Sequence, residues 1–383
     1  MQYRRFGKLE WQPSALGFGA MRLPTIDDDP AKIDEPLATR MIRTAIDAGV
    51  NYVDTAWPYH REQSEPFVGR CLQDGYRDRV KLATKMPAWL IQSAADFDKY
   101  LDAQLERLQT DHVDFYLLHA MNKTQWPKLR DLKVFEWAEK AIADGRVCEL
   151  GFSFHDELSV FKEIIDAYDW TFCQIMYNYM DTEFQAGQAG LKYAAERGIA
   201  VVIMEPLRGG SLTRLAPKPV EALWEGAATK RSQADWALQW LWDQPEVSLC
   251  LSGMSEMRHV EENLASADRS GVGSLTDEER ALIVRVRDAY RALSPIPCTD
   301  CKYCMPCPNG VDIPRIFADY NNAKMYGDLT RYRMSYNQFM PAEKRADNCV
   351  ECGQCETACP QQIEIIDWLK KAHEFLAETP ASS

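Results

Sequence analysis

Long apolar runs are missing from this chain of 383 residues. The longest, such as Ile199 to Met204, are strand-sized, far short of the roughly 18–20 residues that cross a bilayer. Positive charge is also in deficit. A net charge of −13 disfavours non-specific binding to nucleic acid or anionic lipid. Histidine is scarce, six in all, too few to supply mixed Cys/His zinc knuckles freely. The opening Met-Gln-Tyr-Arg-Arg-Phe-Gly lacks the apolar segment of a secretory signal, so a reducing cytoplasm is expected and disulfides are not. With 46% hydrophobic and 26% charged residues, the composition fits a globular protein of two or three domains.

Cysteine is abundant, and unevenly placed. Eight of the twelve fall in the last quarter, as Cys298-x-x-Cys301-x-x-Cys304-x-x-Cys307-Pro and Cys349-x-x-Cys352-x-x-Cys355-x-x-x-Cys359-Pro. Three thiolates at every third position can address three corners of one iron–sulfur cube, and the fourth, before proline, comes from the opposite run. The expected product is two [4Fe–4S] clusters: Cys298, Cys301, Cys304 and Cys359 for one, Cys349, Cys352, Cys355 and Cys307 for the other. The first run is one residue shorter before its last cysteine, so the crossing of Cys307 and Cys359 is the weaker part. Zinc and a single degenerate cluster are the competing readings. Cys71, Cys148, Cys173 and Cys250 stand apart and read as small buried hydrophobes.

From about residue 14 to 265, short β-like runs alternate with amphipathic ones. Strands are predicted at 14–20, 51–55, 80–86, 113–119, 148–152, 172–177, 199–204 and 247–252, with helix-patterned stretches between them such as 37–48, 94–108, 134–144 and 233–242. Eight strand–helix units over about 250 residues fit a closed (β/α)8 TIM barrel. A doubly wound sheet is the alternative, but no Gly-x-Gly-x-x-Gly follows the first strand. Tyr3–Trp11 reads as a hairpin covering the barrel floor. Thr276 and Glu279 form a capping box for a helix reaching Ala292. The Ser-Pro-Ile-Pro at 294–297 then separates a barrel, 1–293, from a small, mainly helical ferredoxin-type domain, 294–383.

Proton-transfer residues fall at the ends of the second, third and fourth strands: Asp54, with Tyr59 five residues on, then Lys85, then His119. Barrel active sites collect at that rim. Trp57, Trp89, Met121, Trp126 and Tyr179, all in predicted loops, are candidate walls for a bulky carbonyl compound.

The segments Asp54-Thr-Ala-x-x-Tyr59, Ser64-Glu65, Leu82-Ala-Thr-Lys85, Tyr116-Leu-Leu-His119, Gln174-x-x-Tyr177-Asn178, Glu205-Pro-Leu207 and Glu262-Asn263 together resemble the aldo-keto reductase family, in its branch with a C-terminal dicluster ferredoxin-type domain. The resemblance covers about residues 1–290 and implies a (β/α)8 oxidoreductase that reduces an aldehyde or ketone with NADP(H) or NAD(H). It makes Tyr59 the general acid, Lys85 the ammonium that eases its ionisation, Asp54 the partner of Lys85 and His119 a donor to the carbonyl oxygen. It places the cofactor on Ser153, Gln174, Glu205, Leu207, Arg208, Gly209, Gly210, Arg258, Glu262 and Asn263. Phe154 stands where the family has an asparagine, and Met204 where it has an aromatic, which leaves the identity of the nicotinamide open.

Hydride transfer moves two electrons and a cluster passes one, and no flavin fingerprint bridges them. Three functions follow: a nicotinamide-dependent carbonyl reductase with auxiliary clusters, a reductase fed single electrons by a ferredoxin-like partner, or a non-catalytic regulatory barrel. Retention of all four proton-transfer positions argues against the last.

Overall fold

The computed structural model describes residues 1–27, 29–298, 302–359 and 361–377. Eight parallel strands close in sequence order into a barrel: β1 Leu16–Gly19, β2 Tyr52–Asp54, β3 Lys81–Met86, β4 Val113–Met121, β5 Val147–Phe154, β6 Phe172–Met176, β7 Ala200–Met204 and β8 Val247–Ser252. β1 pairs with both β2 and β8, which removes every sheet edge.

Alternation along the strands sorts side chains into two cores. Tyr52, Phe115, Leu117, Phe172, Val202 and Leu249 fill the interior. Val53, Leu82, Tyr116, Phe152, Ile175 and Ile203 join the outer layer. Phe6 and Leu9 form an antiparallel bridge around the Gly7 turn. The rings of Phe6 and Trp11 then lie against Phe115, 5.1 and 5.5 Å away between centroids, so the expected hairpin plugs the interior layer. Gly151 is required here: a Cβ would meet the Phe172 ring at 2.4 Å.

Two sequence expectations need correction. β4 runs two residues past His119, with a register shift between Leu118 and Met121, so His119 sits at an irregularity rather than a strand end. Cys148 is exposed, unlike buried Cys71, Cys173 and Cys250.

The chain divides into two compact units, 1–209 with 231–280, and 210–230 with 281–383. Within the first, the Thr276–Glu279 capping box is closed in both directions, at 3.0 and 3.2 Å. Within the second, helices Ile313–Tyr326 and Ile365–Ala377 pack Ile316, Phe317, Leu369 and Leu376 into their own core, with Tyr336 and Met340. Among the described residues, no helix is long and apolar enough to cross a membrane.

Candidate active site and cysteine lobe

β2 and β3 end side by side, and their last turns bring a carboxylate and an ammonium together inside the barrel mouth. Lys85 Nζ donates to Asp54 Oδ1 at 2.5 Å, to the Thr55 carbonyl at 2.8 Å and to the Tyr59 hydroxyl at 3.3 Å. Lys85 and Asp54 are both out of water, at 0% and 2% exposure. Burial of an ion pair costs several kcal/mol per ion, offset only where hydrogen bonds complete it; here all three ammonium protons are used, while Asp54 Oδ2 has no partner among the described residues. The Tyr59 ring meets the His119 ring edge-on, 6.1 Å between centroids. The structure therefore assembles all four predicted proton-transfer residues.

Three of the four pKa values rise and one falls. Burial pulls Lys85 down, but Asp54 and Tyr59 outweigh it, and its pKa rises. Burial raises Asp54 against the pull of Lys85. Tyr59 is also raised: burial outweighs the lowering effect of Lys85, so the expected net acidification is not present in this state. His119 falls well below its ordinary value, through burial first and then Lys85 and His155. Its imidazole is neutral, and its Nδ1 is buried without a hydrogen-bond partner among the described residues.

Of the five candidate wall residues, Trp89 alone pairs exposure with a place beside the tetrad, 41% exposed and with its ring 5.2 Å from His119. Met121 and Trp126 are packed into the outer core. Trp126 lies in a helix, Gln125–Asp131, and donates to Glu163 at 2.9 Å. Trp57 and Tyr179 are buried as well.

Ser153 and Gln174 face each other in register on β5 and β6. The Ser153 hydroxyl already accepts from Ala120 N–H at 2.8 Å. Gln174 is buried, and its Oε1 has no partner among the described residues, a vacancy in hydrogen bonding that a carboxamide N–H would fill. Phe154 points away, into the helical layer against Phe161 at 5.1 Å. After β7, Glu205, Arg208, Gly209 and Gly210 all take positive φ, from 52° to 94°; such turns gather backbone N–H groups into anion nests. Leu207 packs on the outer core, and Arg208 is tied to Asp181 at 2.8 Å. Arg258, Glu262 and Asn263 lie on the helix Met257–Asp268. Arg258 and Glu262 are exposed, whereas Asn263 is buried and donates to Ser252 at 3.0 Å.

In the lobe, Cys298, Cys304 and Cys359 line one cavity, together with Ile313, Phe317, Ile363 and Ile365. That juxtaposition joins the last cysteine of the second run to the first run, as the crossed assignment requires. Cys307, Cys349 and Cys355 also pack against the lobe core, and Cys349 lies close enough to Cys355 to help burial raise its pKa. Cys352 is exposed. Cys301 lies outside the described residues. The donor set suits iron–sulfur ligation: soft thiols on a largely apolar floor.

Among the described residues, one other cluster, His112, Asp114 and Cys148, brings its ligand atoms within 4.8 Å. Asp114 there is bonded to Arg77 and Lys81, at 2.8 and 2.7 Å, and two cations on one carboxylate oppose a third.

Sequence reading missed the supports of the tetrad. Thr84 and Gln104 both donate to the fully buried Glu65, at 2.6 and 2.5 Å, and Gln104 also donates to the Lys85 carbonyl at 3.1 Å. Only the Ser64-Glu65 pair was visible, as a motif without a role; Gln104 stands in an ordinary helical stretch.

Comparison with known proteins agrees with this architecture. The model of the aldo/keto reductase family matches residues 15–287, and that of a 4Fe-4S dicluster domain matches 297–364. The uncharacterized oxidoreductase YqkF of Bacillus subtilis is 26% identical, over 76% of this chain and 99% of its own length. The holo form of aldo-keto reductase AKR11C1 from Bacillus halodurans superposes with a TM-score of 0.63 at 27% identity, over 75% of this chain and 96% of that one. An aldo-keto reductase from Klebsiella pneumoniae in complex with NADPH has the same fold, with a TM-score of 0.61 at 23% identity, over 75% and 95% of the two chains. This chain belongs to the aldo/keto reductase family, and it carries a 4Fe-4S dicluster domain at its C-terminal end.

Proposed function

From that membership, we propose that the protein is a nicotinamide-dependent carbonyl reductase, taking an aldehyde or ketone to the alcohol with NADP(H) or NAD(H), and that two [4Fe–4S] clusters accompany it. The domains are then 1–293 and 294–383, and the cell compartment a reducing cytoplasm. The observation that supports this most is the bonded chain Asp54–Lys85–Tyr59 with neutral His119 alongside.

Each residue has one task. Tyr59 stays protonated in the waiting site because burial disfavours phenolate, and it yields its proton as negative charge grows on the substrate oxygen. Lys85 meets the phenolate so formed, and Asp54 keeps Lys85 charged and aimed. Neutral His119 donates an N–H to the same oxygen. Bound nicotinamide would supply the hydride. Ser153 and Gln174 would hold its carboxamide, the turn from Glu205 to Gly210 its phosphates, and Arg258, Glu262 and Asn263 its adenylate end. Cys298, Cys301, Cys304 and Cys359 would hold one cluster, and Cys349, Cys352, Cys355 and Cys307 the other, each a one-electron carrier.

The test is anaerobic incubation of the cluster-loaded protein with NADPH or NADH and a panel of aldehydes. Alcohol formed in step with nicotinamide oxidised is the expected result; neither cofactor being consumed by any carbonyl contradicts it.

A second reading has one observation in its favour. With Phe154 turned into the helical layer, β5 offers the Ser153 hydroxyl and no amide at that position. A site short of cofactor contacts suits a reductase fed by a ferredoxin-like partner through the clusters. That enzyme turns over with reduced viologen and not with nicotinamide.

A further inference from the structure

The loop that carries Tyr59 is held in a conformation its sequence does not favour. His60, Arg61 and Glu62 take φ of 52°, 50° and 69° in succession. Left-handed backbone is disfavoured for residues with a Cβ, and a run of three persists only where the surroundings over-determine it. What over-determines it is visible on both flanks. On one, the His60 ring bridges two backbone groups: Nε2 accepts from Leu23 N–H at 3.0 Å and Nδ1 donates to the Pro30 carbonyl at 2.9 Å.

On the other flank stands Arg107, from the helix Ala95–Leu108. Its guanidinium carbon lies over the Trp57 indole, 3.5 Å from the ring centre. The same group donates to Glu62 at 2.7 Å and to Glu65 at 3.4 Å. One side chain thus grips the loop two residues before Tyr59 and three after it. Tyr100 from the same helix closes the far edge of Trp57, 5.0 Å away and nearly perpendicular. Gln104 lies one turn before Arg107, on the same helix face, and bonds both Glu65 and the Lys85 carbonyl. A single helix face therefore fixes both members of the Tyr59–Lys85 pair.

We propose that Arg107, with Gln104, is a positioning residue for proton transfer: it sets the 3.3 Å separation of the Tyr59 hydroxyl and the Lys85 ammonium by clamping the left-handed turn. The role rests on the carbonyl-reduction reading for its effect on rate, but not for its effect on the loop. It needs arginine. A planar guanidinium spreads over an indole while its fixed fork reaches two carboxylates, whereas a lysine ammonium is a compact point charge without that plane or fork.

The experiment uses full-length, cluster-loaded protein and two variants, Arg107→Gln and Arg107→Lys. Amide hydrogen exchange in residues 56–63 is expected to rise about tenfold in both, with β4 peptides unchanged. With carbonyl substrate, kcat falls about 10- to 100-fold, because a misplacement of about 1 Å is enough for that, while the KM for nicotinamide stays within about twofold. The alkaline limb of kcat shifts, since the Tyr59–Lys85 contact loosens. Should Arg107→Gln fail to fold, Trp57→Leu removes the stack alone and is read in the same way. Wild-type exchange in 56–63 together with an unmoved alkaline limb overturns the clamp while leaving carbonyl reduction intact. Raised exchange in a protein that reduces no carbonyl supports the clamp and overturns the reading of function instead.

Discussion

Lys85 and Asp54 meet at 2.5 Å inside the barrel and are almost wholly shielded from solvent, whereas Cys298, Cys304, Cys307, Cys349, Cys355 and Cys359 of the lobe stay half-open to it and Cys352 is exposed. In the barrel mouth, a cation, an anion and a phenol balance one another through the chain's own hydrogen bonds. In the lobe, the cysteines pack against a core that includes Ile316, Phe317 and Leu369. On the proposed reading, these soft sulfur donors are completed by iron rather than by the chain's own hydrogen bonds. The barrel site is set by packing before any ligand arrives; on the proposed reading, the lobe site would be set by the clusters it holds. The two regions should therefore fail separately, under different insults.

The sharpest break in that comparison is Tyr59→Phe. It removes the proposed proton donor and leaves the ring, so kcat/KM for carbonyl reduction should fall by about 10²–10⁴-fold, with iron content and barrel stability at wild-type values. Steady-state kinetics beside iron analysis reads both sides. Leu249→Ala acts on the other property of the barrel. Leu249 is fully buried in the interior layer, and its truncation should cost about 2–5 kcal/mol of stability. Chemical denaturation would show this, and the lobe helices should keep their wild-type hydrogen-exchange protection.

Cysteine replacement perturbs the lobe instead. Cys304→Ser and Cys359→Ser should each remove about half of the iron and leave the same remaining cluster, seen as one shared electron paramagnetic resonance signal. Cys307→Ser and Cys355→Ser should leave the other. Pairing of Cys304 with Cys307 in this assay would undo the crossed assignment.

The smallest expected effect is on pH dependence. His119 is pushed well below its ordinary 6.5 by burial first and then by Lys85 and His155, and Tyr59 is raised above its ordinary 10.0, burial outweighing Lys85. The competent state, with His119 neutral and Tyr59 protonated, should thus span that whole interval, and kcat should be flat across it. The stability sign is consistent. A histidine depressed on folding contributes stability that is full above the unfolded value and is lost as pH falls through the folded one. A kcat inflection near 6.5, abolished in His119→Asn, would show that burial does not hold His119 neutral.

The barrel was legible because its strands carry the strongest local signal. β8 falls at Val247–Ser252 as expected from sequence, and the other strands differ by a residue or two at their ends. Three helices with a proline in the first turn were not legible. Pro66, Pro127 and Pro219 lie in the first turns of Ser64–Cys71, Gln125–Asp131 and Lys218–Glu225. There proline lacks only an N–H that the helix would not have used, but in a linear reading it looks like a break. Mistaking Gln125–Asp131 for a loop is what turned Trp126 into a wall residue. The tetrad was legible as a set of strand-end positions. The network behind it was not, because Gln104 and Arg107 reach Glu65 across 39 and 42 residues of chain, a distance at which no local pattern reports contact. The direction of the Tyr59 shift was hidden for a similar reason: a sequence shows the neighbouring lysine, but not the depth of burial.

The most direct test of the central claim, that carbonyl oxygen is protonated in the barrel mouth as hydride arrives from nicotinamide, is isotope transfer. The cluster-loaded protein is given NADPH carrying deuterium on both faces of the nicotinamide C4, an aldehyde and no other reductant, under anaerobic conditions. Deuterium on the alcohol carbon of the product, with cluster absorbance unchanged during turnover, is the predicted result. Product free of deuterium, formed while the clusters cycle between oxidation states, would contradict it.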